Sequence, residues 1–175
     1  MKTRGFTLIE ILVVVTIIAI VTGGALLALG LIGGQSGSAR DLERLQSLLL
    51  DARDRAELEN RDYGVRLLAD GYEFLTFDAR TGRWLPIADR VFGGARWAEP
   101  LELELDVDGR RVVLRREPER DLAPAPDFGV DATGEFTAFE LRAKVGSPPR
   151  VWRLGPDDDG ELQLRELDAG REVTR

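Results

Sequence analysis

Glu10 is the residue whose position most clearly demands a chemical role. It is the only ionisable residue between Phe6 and Gly34, in a stretch that is otherwise almost entirely apolar. If that stretch enters a lipid bilayer, a carboxylate within it is costly and is expected to have a partner or a function. The alternative is that the Glu10 side chain only extends to the membrane surface, where water solvates it.

An acidic run near the C-terminus, Asp157-Asp158-Asp159-Gly160-Glu161, is the second group of candidate ligands. Calcium is bound by several oxygen atoms close together, which this run could supply. The spacing of an EF-hand is not met, because Gly155 occupies the position of the first ligand and no glutamate follows at the required distance. The run is therefore predicted to be a solvated turn without a metal, and calcium binding is the alternative.

The composition excludes several classes of function. The chain of 175 residues has no cysteine, and therefore no disulfide or thiolate chemistry, and no histidine, the commonest general base. Its formal net charge is -7, with 31 acidic against 24 basic residues, whereas a nucleic-acid binder needs a basic surface. The composition therefore removes much enzyme chemistry, and we predict no cofactor and no nucleic-acid partner.

The apolar stretch that holds Glu10 has the composition of a transmembrane helix. About twenty such residues cross a hydrocarbon core of roughly 30 Å, and residues 6–34 are enough to span it. Lys2 and Arg4 precede the stretch, so the positive-inside rule places the N-terminus in the cytoplasm and the rest of the chain outside. The alternative is a secretory signal peptide cleaved after small residues near Ala25 to Gly30. The length of the stretch and the position of Glu10 disfavour it.

A second helix is predicted after a short polar stretch. Gly33 to Ser38 is rich in small residues and favours a flexible hinge, with a weak helical section as the alternative. After it, apolar residues recur at helical spacing, and this stripe is predicted to pack on the chain's own sheet instead of on a partner helix. The helix is expected to end near Asn60. The residues of the stripe are Leu42, Leu45, Leu49, Ala52 and Ala56.

Beyond Tyr63 the pattern changes to short strands, about seven or eight in number. Ala69-Asp70-Gly71 predicts a hairpin turn in which the glycine supplies a positive φ, and Asp108-Gly109 predicts another. Because helical and strand patterns are segregated along the chain, the fold class is α+β, with an antiparallel sheet or two sheets against the helix. The predicted strands are Tyr63 to Leu68, Tyr72 to Phe77, Leu101 to Val107, Arg110 to Arg116, Glu135 to Ala143, Val151 to Leu154 and Glu161 to Leu167.

The N-terminal motif Arg4-Gly5-Phe6-Thr7-Leu8-Ile9-Glu10 resembles the class III signal of type IV prepilins and type II secretion pseudopilins. The resemblance implies that a prepilin peptidase cuts after Gly5 and methylates the new amino group of Phe6, leaving the apolar helix intact. Glu10 would then lie one helical turn from that amine and would set the register between neighbouring subunits. Many type IV pilins carry a proline in this helix, whereas this chain has none before Pro86.

Four later segments, which begin at Asp62, Asp70, Gly82 and Gly134, resemble the H-type minor pseudopilin of type II secretion. The absence of cysteine also favours a pseudopilin, because many type IV pilins have a disulfide in the C-terminal region. The resemblance implies a pilin-like fold and a structural subunit of the pseudopilus that helps to drive folded proteins across the outer membrane. The implied partners are other minor and major pseudopilins, the prepilin peptidase and the secretion assembly platform of the inner membrane.

The expected organisation is a single-pass protein of the bacterial inner membrane with a periplasmic domain. Two other functions remain open at this point: a minor pilin of a type IV pilus, and a membrane-tethered hydrolase or binding domain. The expected segments are a prepilin leader (1–5), a transmembrane helix (6–34), a hinge with an amphipathic helix (35–60) and a β-rich periplasmic domain (61–175).

Overall fold

The computed structural model of the chain describes residues 8–9, 11–18, 37–116 and 123–167. The chain divides into two compact units, Met1–Gln35 and Ser36–Arg175, the second of which we call the globular unit. In the first unit, residues 8–9 and 11–18 are helical. The described part of the globular unit has one helix, Gly37–Glu59, and ten strands.

The helix Gly37–Glu59, which we call the domain helix, is amphipathic as predicted. The five residues of the predicted apolar stripe are each no more than 1% exposed. The helix is followed by Asn60, whose φ of 49° is the left-handed conformation that asparagine tolerates after a helix. The predicted end near Asn60 is therefore confirmed, and the stripe packs on the chain's own sheets.

The predicted hinge is wrong at its C-terminal end. Gly37 and Ser38 form the first turn of the domain helix, and Ser38 is only 2% exposed. Burial of this turn against the loop that follows β4 outweighs the low helix propensity of glycine and serine. The preceding residues of the predicted hinge, 33–36, lie outside the described residues.

The strands form two antiparallel sheets, and the predicted α+β fold with two sheets is observed. Sheet A has the order β3-β2-β1-β7, with β4 also paired to β2, and sheet B has the order β10-β9-β8-β5-β6. The strands are β1 Tyr63–Leu68, β2 Gly71–Asp78, β3 Arg83–Pro86, β4 Ala95–Arg96, β5 Glu102–Val107, β6 Arg110–Val112, β7 Phe128–Val130, β8 Phe139–Val145, β9 Arg150–Pro156 and β10 Leu162–Leu167.

Three short strands, β3, β4 and β7, were not predicted because two to four residues are too few to show an alternating pattern. β8 begins at Phe139, not at Glu135, because Asp131 accepts hydrogen bonds from the backbone of Thr133 and Glu135 and holds a turn there. β6 ends at Val112, short of the predicted Arg116.

The core lies between the domain helix and the inner faces of both sheets. The helix contacts β1 and β7 of sheet A and β10 of sheet B. Phe128 of β7 stacks on Phe139 of β8 with ring centroids 4.0 Å apart, which joins the two sheets. Tyr63, Tyr72 and Phe74 of sheet A pack there with Phe92 and Trp97, which lie in the loops on either side of β4.

Glycine is required at position 71 because a side chain would not fit there. The sequence prediction, that this glycine supplies a positive φ, is wrong. Its φ is not positive. A Cβ atom at this position would lie 2.1 Å from the carbonyl oxygen of Ala95 in β4. The glycine therefore allows the edge strand β4 to approach β2 closely.

We expect Gly71→Ala to lower the free energy of unfolding by about 2 to 3 kcal/mol, because the backbone of β4 must move away. Gly82→Ala is the matched control, since φ is 64° there and no atom lies within 4 Å of the added Cβ. The Gly82→Ala substitution should cost only about 1 kcal/mol, because alanine is strained in the left-handed backbone conformation. Urea unfolding of the two variants tests this, and equal losses would refute the close-approach explanation.

Candidate assembly surfaces

The three residues singled out by the N-terminal motif, Gly5, Phe6 and Glu10, lie outside the described residues. Their neighbours Leu8, Ile9 and residues 11–18 are helical, and apolar side chains there are strongly exposed, from 45% at Val14 to 86% at Leu8. This segment therefore presents an apolar helical surface. Within the described residues, no helix combines the length and hydropathy needed to cross a membrane.

The start of the domain helix is held to the rest of the globular unit by the loop that follows β4. The backbone N–H of Ala98 donates to Oδ2 of Asp41 at 2.6 Å, and Oγ of Ser38 lies 3.5 Å from Oε2 of Glu99. The N–H of Trp97 donates to the carbonyl oxygen of Asp70 in the β1–β2 turn. The helix is thus held in place from its first turn.

The outer face of sheet B carries ion pairs between exposed side chains, as expected of a surface in contact with water. Lys144 of β8 donates to Glu102 of β5 at 2.7 Å, and Arg111 of β6 lies 3.0 Å from Glu104 and 3.6 Å from Asp106. The hydrogen bond from Lys144 lowers the pKa of Glu102. These pairs are exposed, so they contribute little to stability and instead set the charge pattern of the surface.

One edge of β5 is only half occupied among the described residues. β8 pairs with all of Glu102–Val107, whereas β6 pairs only with Leu105, Asp106 and Val107. Asp108 and Gly109 form the two-residue turn, with φ of 50° and 72°. In such a hairpin the closing pair, Val107 and Arg110, is hydrogen-bonded, so every second residue of β5 directs its N–H and C=O toward β6.

Leu103 is the residue that this alternation leaves facing the empty half of the edge. Its expected partner, Leu114, has left the ladder, because Arg115 forms a parallel bridge with Leu68 of β1 and accepts a hydrogen bond from the N–H of Ala69 at 2.8 Å. Sheet A thus captures the segment that was predicted to complete β6. Val113 alternates with the half-buried Val112 and Leu114 and is 84% exposed.

A cleft of about 690 Å³ fills the space between β5 and the diverging segment. We call this space the edge cleft. Its apolar lining is Ala69, Leu101, Leu103, Val112, Val113, Leu114 and Val151, and its charged lining is Glu102, Glu104, Arg111, Arg142 and Lys144. The edge cleft therefore combines an apolar interior, a strand backbone that no described residue pairs with on this side, and a charged outer side.

The acidic run from Asp157 to Glu161 is the turn between β9 and β10. Oδ1 of Asp157 accepts hydrogen bonds from the N–H groups of Asp159 at 3.1 Å and Glu161 at 3.0 Å. The side chain of Asp157 thus closes its own turn, as aspartate commonly does. Within the described residues, no group of three or more acidic side chains is arranged to hold a metal ion.

The chain is similar over most of its length to curated proteins of type II secretion. It is 35% identical over 160 residues to type II secretion system protein H of Pseudomonas aeruginosa, covering 89% of this chain and 91% of that protein. The chain belongs to the type II secretion system protein H family. The protein of the same name from Vibrio cholerae is 25% identical over 185 residues, covering 93% and 94% of the two chains.

Two further comparisons agree with membership of the protein H family. Residues 1–26 match the model of the prokaryotic N-terminal methylation motif. The crystal structure of the minor pseudopilin EpsH of Vibrio cholerae has a TM-score of 0.59 and 26% identity, covering 78% of this chain and 99% of that one. The solution structure of Escherichia coli GspH, at 18% identity and a TM-score of 0.56, shares the fold over 78% and 92% of the two chains.

As a protein H family member, the chain is a minor pseudopilin, a structural subunit of the type II secretion pseudopilus and not an enzyme. It therefore interacts with other pseudopilins of that system. This decides against a type IV minor pilin and a tethered hydrolase, the two alternatives that the sequence left open. The resemblance recognised in the sequence is confirmed, as is the pilin-like fold.

Sequence reasoning missed the edge cleft. Each of its walls contains a predicted strand, but the pattern of Arg110 to Arg116 favoured continuous pairing with β5. The competing pairing between Leu68 and Arg115 links positions that are far apart in the chain. The sequence held no signal for the cleft, because the register continued from β6 would place Leu114 opposite Leu103 and Arg115 opposite Glu102, which are favourable pairs.

Proposed function

We propose that the chain is a single-pass protein of the inner membrane, with a cytoplasmic N-terminus and a periplasmic globular unit. Lys2 and Arg4 before the apolar run support this orientation, because basic residues are retained on the cytoplasmic side. The exposed apolar side chains of residues 11–18 support insertion, since lipid would cover a surface that water solvates poorly. Residues 6–34 form the spanning segment in this proposal, and the domain boundaries follow those expected from the sequence.

The proposed maturation is cleavage after Gly5 and methylation of the new amino group on Phe6. The observation that carries this proposal is the match of residues 1–26 to the N-terminal methylation motif. Glycine before the cut leaves the backbone free to enter a protease site without a side chain to accommodate. The prepilin peptidase is thus a proposed partner of residues 1–5 and Phe6.

Glu10 is proposed to guide assembly by pairing with the amine of Phe6, on its own chain or on a neighbouring subunit. An amine and a carboxylate attract each other strongly in a low-dielectric setting, where an unpaired charge is costly. The pair would form only when the subunit is in register with its neighbour.

The assembled subunit is proposed to join the other minor pseudopilins and the major pseudopilin on the inner-membrane assembly platform. The fibre would then help to drive folded proteins across the outer membrane. The domain helix is held to the rest of the globular unit from Ser38 onward, so its helix and sheets would act as one body. This arrangement suits a structural role.

The first test is the mass of the chain purified from a host with the peptidase. We expect it to begin at Phe6 and to carry one added methyl group. Removal of residues 1–5 deletes Lys2 and Arg4, so the side-chain charge becomes 22 minus 31, or -9. Gly5→Leu should block the cut, because the added side chain obstructs the protease site, and should leave the chain at full length.

A mature start near Ala28 or Gly30 would contradict the proposal and would indicate an ordinary signal peptide. The orientation is checked in the same cells by adding protease to spheroplasts. Digestion of the globular unit is expected. Protection of it until the membrane is lysed would refute the periplasmic location.

A further inference from the structure

The hydrogen bond between Asp41 and Ala98 joins the start of the domain helix to a point 57 positions further along the chain. Oδ2 of Asp41 accepts the backbone N–H of Ala98 at 2.6 Å. Because the acceptor is a carboxylate, this bond is stronger than one between two neutral groups. A Cβ atom at Gly37 would lie 3.1 Å from Cβ of Ala98, so the first turn of the helix and this loop approach each other closely.

Ala98 is a fixed point of attachment because its neighbour Trp97 is anchored in the core. Trp97 is only 8% exposed, and its ring centroid lies 5.2 Å from that of Tyr72 in β2. Asp41 lies close to the same tyrosine. Burial raises the pKa of Tyr72, and of the nearby charges Arg44 lowers this pKa and Asp41 raises it. Asp41 therefore connects the start of the helix to sheet A through this loop.

The first turn of the domain helix needs this contact because its own sequence favours a helix only weakly. Gly37 and Ser38 have low helix propensity. The turn contains no acidic residue to interact favourably with the helix dipole, and Arg40 places a positive charge there instead. The other polar contact of this turn with the loop, from Ser38 to Glu99, is 3.5 Å long and therefore weak. We expect the turn to unwind when Asp41 no longer holds the loop.

We propose that Asp41 is a positioning residue for assembly of the pseudopilus, because it fixes the residue at which the helix of the globular unit begins. The inference rests on the proposed function, in which residues 6–34 span the membrane. Only residues 35 and 36 separate that segment from Gly37. If residues 37–41 unwind, the connection to the buried Leu42 grows to seven residues, 35–41.

The longer connection is large on the scale of a packed interface. At about 3.4 Å per extended residue, its maximum reach rises from about 7 Å to about 24 Å. Packed side chains meet within about 4 Å of each other. An added reach of several times that distance would no longer keep neighbouring subunits in register, so incorporation into the fibre would fail.

Glu59 at the other end of the domain helix provides a matched comparison. Its Oε2 accepts the hydroxyl of Tyr63 at 2.8 Å, so this bond also has a carboxylate acceptor. Tyr63 is only four positions along the chain, however, and the bond has no influence on where the helix begins. A role in stability alone would make Asp41 and Glu59 equivalent, whereas the positioning role distinguishes them.

The test is Asp41→Ala in the full chain, expressed in its native host. Hydrogen exchange of the Ala98 amide in the purified chain should become about tenfold faster, because its acceptor is gone. Membrane fractionation should not change, whereas co-purification with other pseudopilins and secretion should be lost. Asp41→Asn keeps an oxygen that can accept the same hydrogen bond, so exchange, co-purification and secretion should all return to near the wild-type level.

Glu59→Ala is the control variant. Urea unfolding should show that Glu59→Ala and Asp41→Ala lose similar amounts of stability, because each removes a hydrogen bond to a carboxylate. Only Asp41→Ala should lose co-purification and secretion. If Glu59→Ala loses them equally, the effect is one of stability, and the positioning role is refuted.

The outcomes also separate this inference from the proposed function. If the wild-type chain is absent from the membrane fraction, the proposed function fails. If the wild type is present there and Asp41→Ala co-purifies and secretes like it, only the positioning role is refuted. The same conclusion follows if exchange of the Ala98 amide is unchanged in Asp41→Ala, or if Asp41→Asn protects that amide without restoring secretion.

Discussion

Replacing Leu45 by alanine is expected to lower the free energy of unfolding of the globular unit by about 2 to 5 kcal/mol. Leu45 is fully buried in the middle of the domain helix, where it packs in the core beneath both sheets. The substitution removes apolar atoms and leaves a cavity that the surrounding strands can fill only in part. The loss would be a large fraction of the stability of a unit of this size.

Urea unfolding of the full chain in detergent, followed by tryptophan fluorescence, measures this loss. The chain has three tryptophans, Trp84, Trp97 and Trp152, and all of them lie in the globular unit, so the signal reports on that unit. Leu58→Ala is the control on the same helix. Leu58 is 84% exposed, and its truncation should change the free energy by no more than about 0.5 kcal/mol.

A small effect of Leu45→Ala, under about 1 kcal/mol, would contradict the packing described for the domain helix. Equal losses for Leu45→Ala and Leu58→Ala would do the same, because the two leucines share a helix and differ in burial. The comparison therefore tests the orientation of the helix independently of its helix propensity, which leucine-to-alanine changes affect little.

The domain helix could be predicted from sequence because its signal is local and repeated. Five apolar residues at helical spacing, from Leu42 to Ala56, defined its buried face, and all five are buried. The start of the helix was missed because the signal there is not local. Ala98 lies against Gly37 and Glu99 contacts Ser38, and both lie some sixty positions further along the chain.

The strands show the same division between local and distant causes. β1 was predicted at its observed bounds, and the β5–β6 turn follows from Asp108-Gly109, whose positive φ angles suit a two-residue hairpin. The length of β6 could not be predicted, because β5 and the end of β1 compete for the segment after Val112. Which pairing wins depends on how the sheets are placed, and the pattern of either strand alone does not contain that information.

One candidate site could be predicted from local sequence, and the other depends on contacts between distant segments. The N-terminal motif is contiguous, so the residues from Arg4 to Glu10 identify it without any knowledge of the fold. The edge cleft is assembled from β5, β6, β8, β9, the turn after β1 and the segment after Val112, so it becomes visible only in three dimensions.

Glu10→Ala is expected to abolish incorporation of the chain into the pseudopilus while leaving membrane insertion intact. Removing a carboxylate from an apolar segment makes insertion unchanged or easier. The amine of Phe6, on the same or a neighbouring chain, then loses its counter-charge, and a buried unpaired cation costs several kcal/mol. Membrane fractionation, the mass of the mature chain, co-purification with other pseudopilins and secretion are measured together in the native host.

Two further variants isolate the charge of Glu10 from its size and from general changes in the apolar segment. Glu10→Gln keeps nearly the same shape but lacks the charge, so it should lose co-purification and secretion as Glu10→Ala does. Val13→Ala shortens an exposed apolar side chain nearby and should leave both at the wild-type level. Because the globular unit holds its own core, urea unfolding should be the same for all three variants. If processed Glu10→Ala co-purifies and secretes like the wild type, the assembly role is wrong, and Glu10 only extends its carboxylate to the membrane surface.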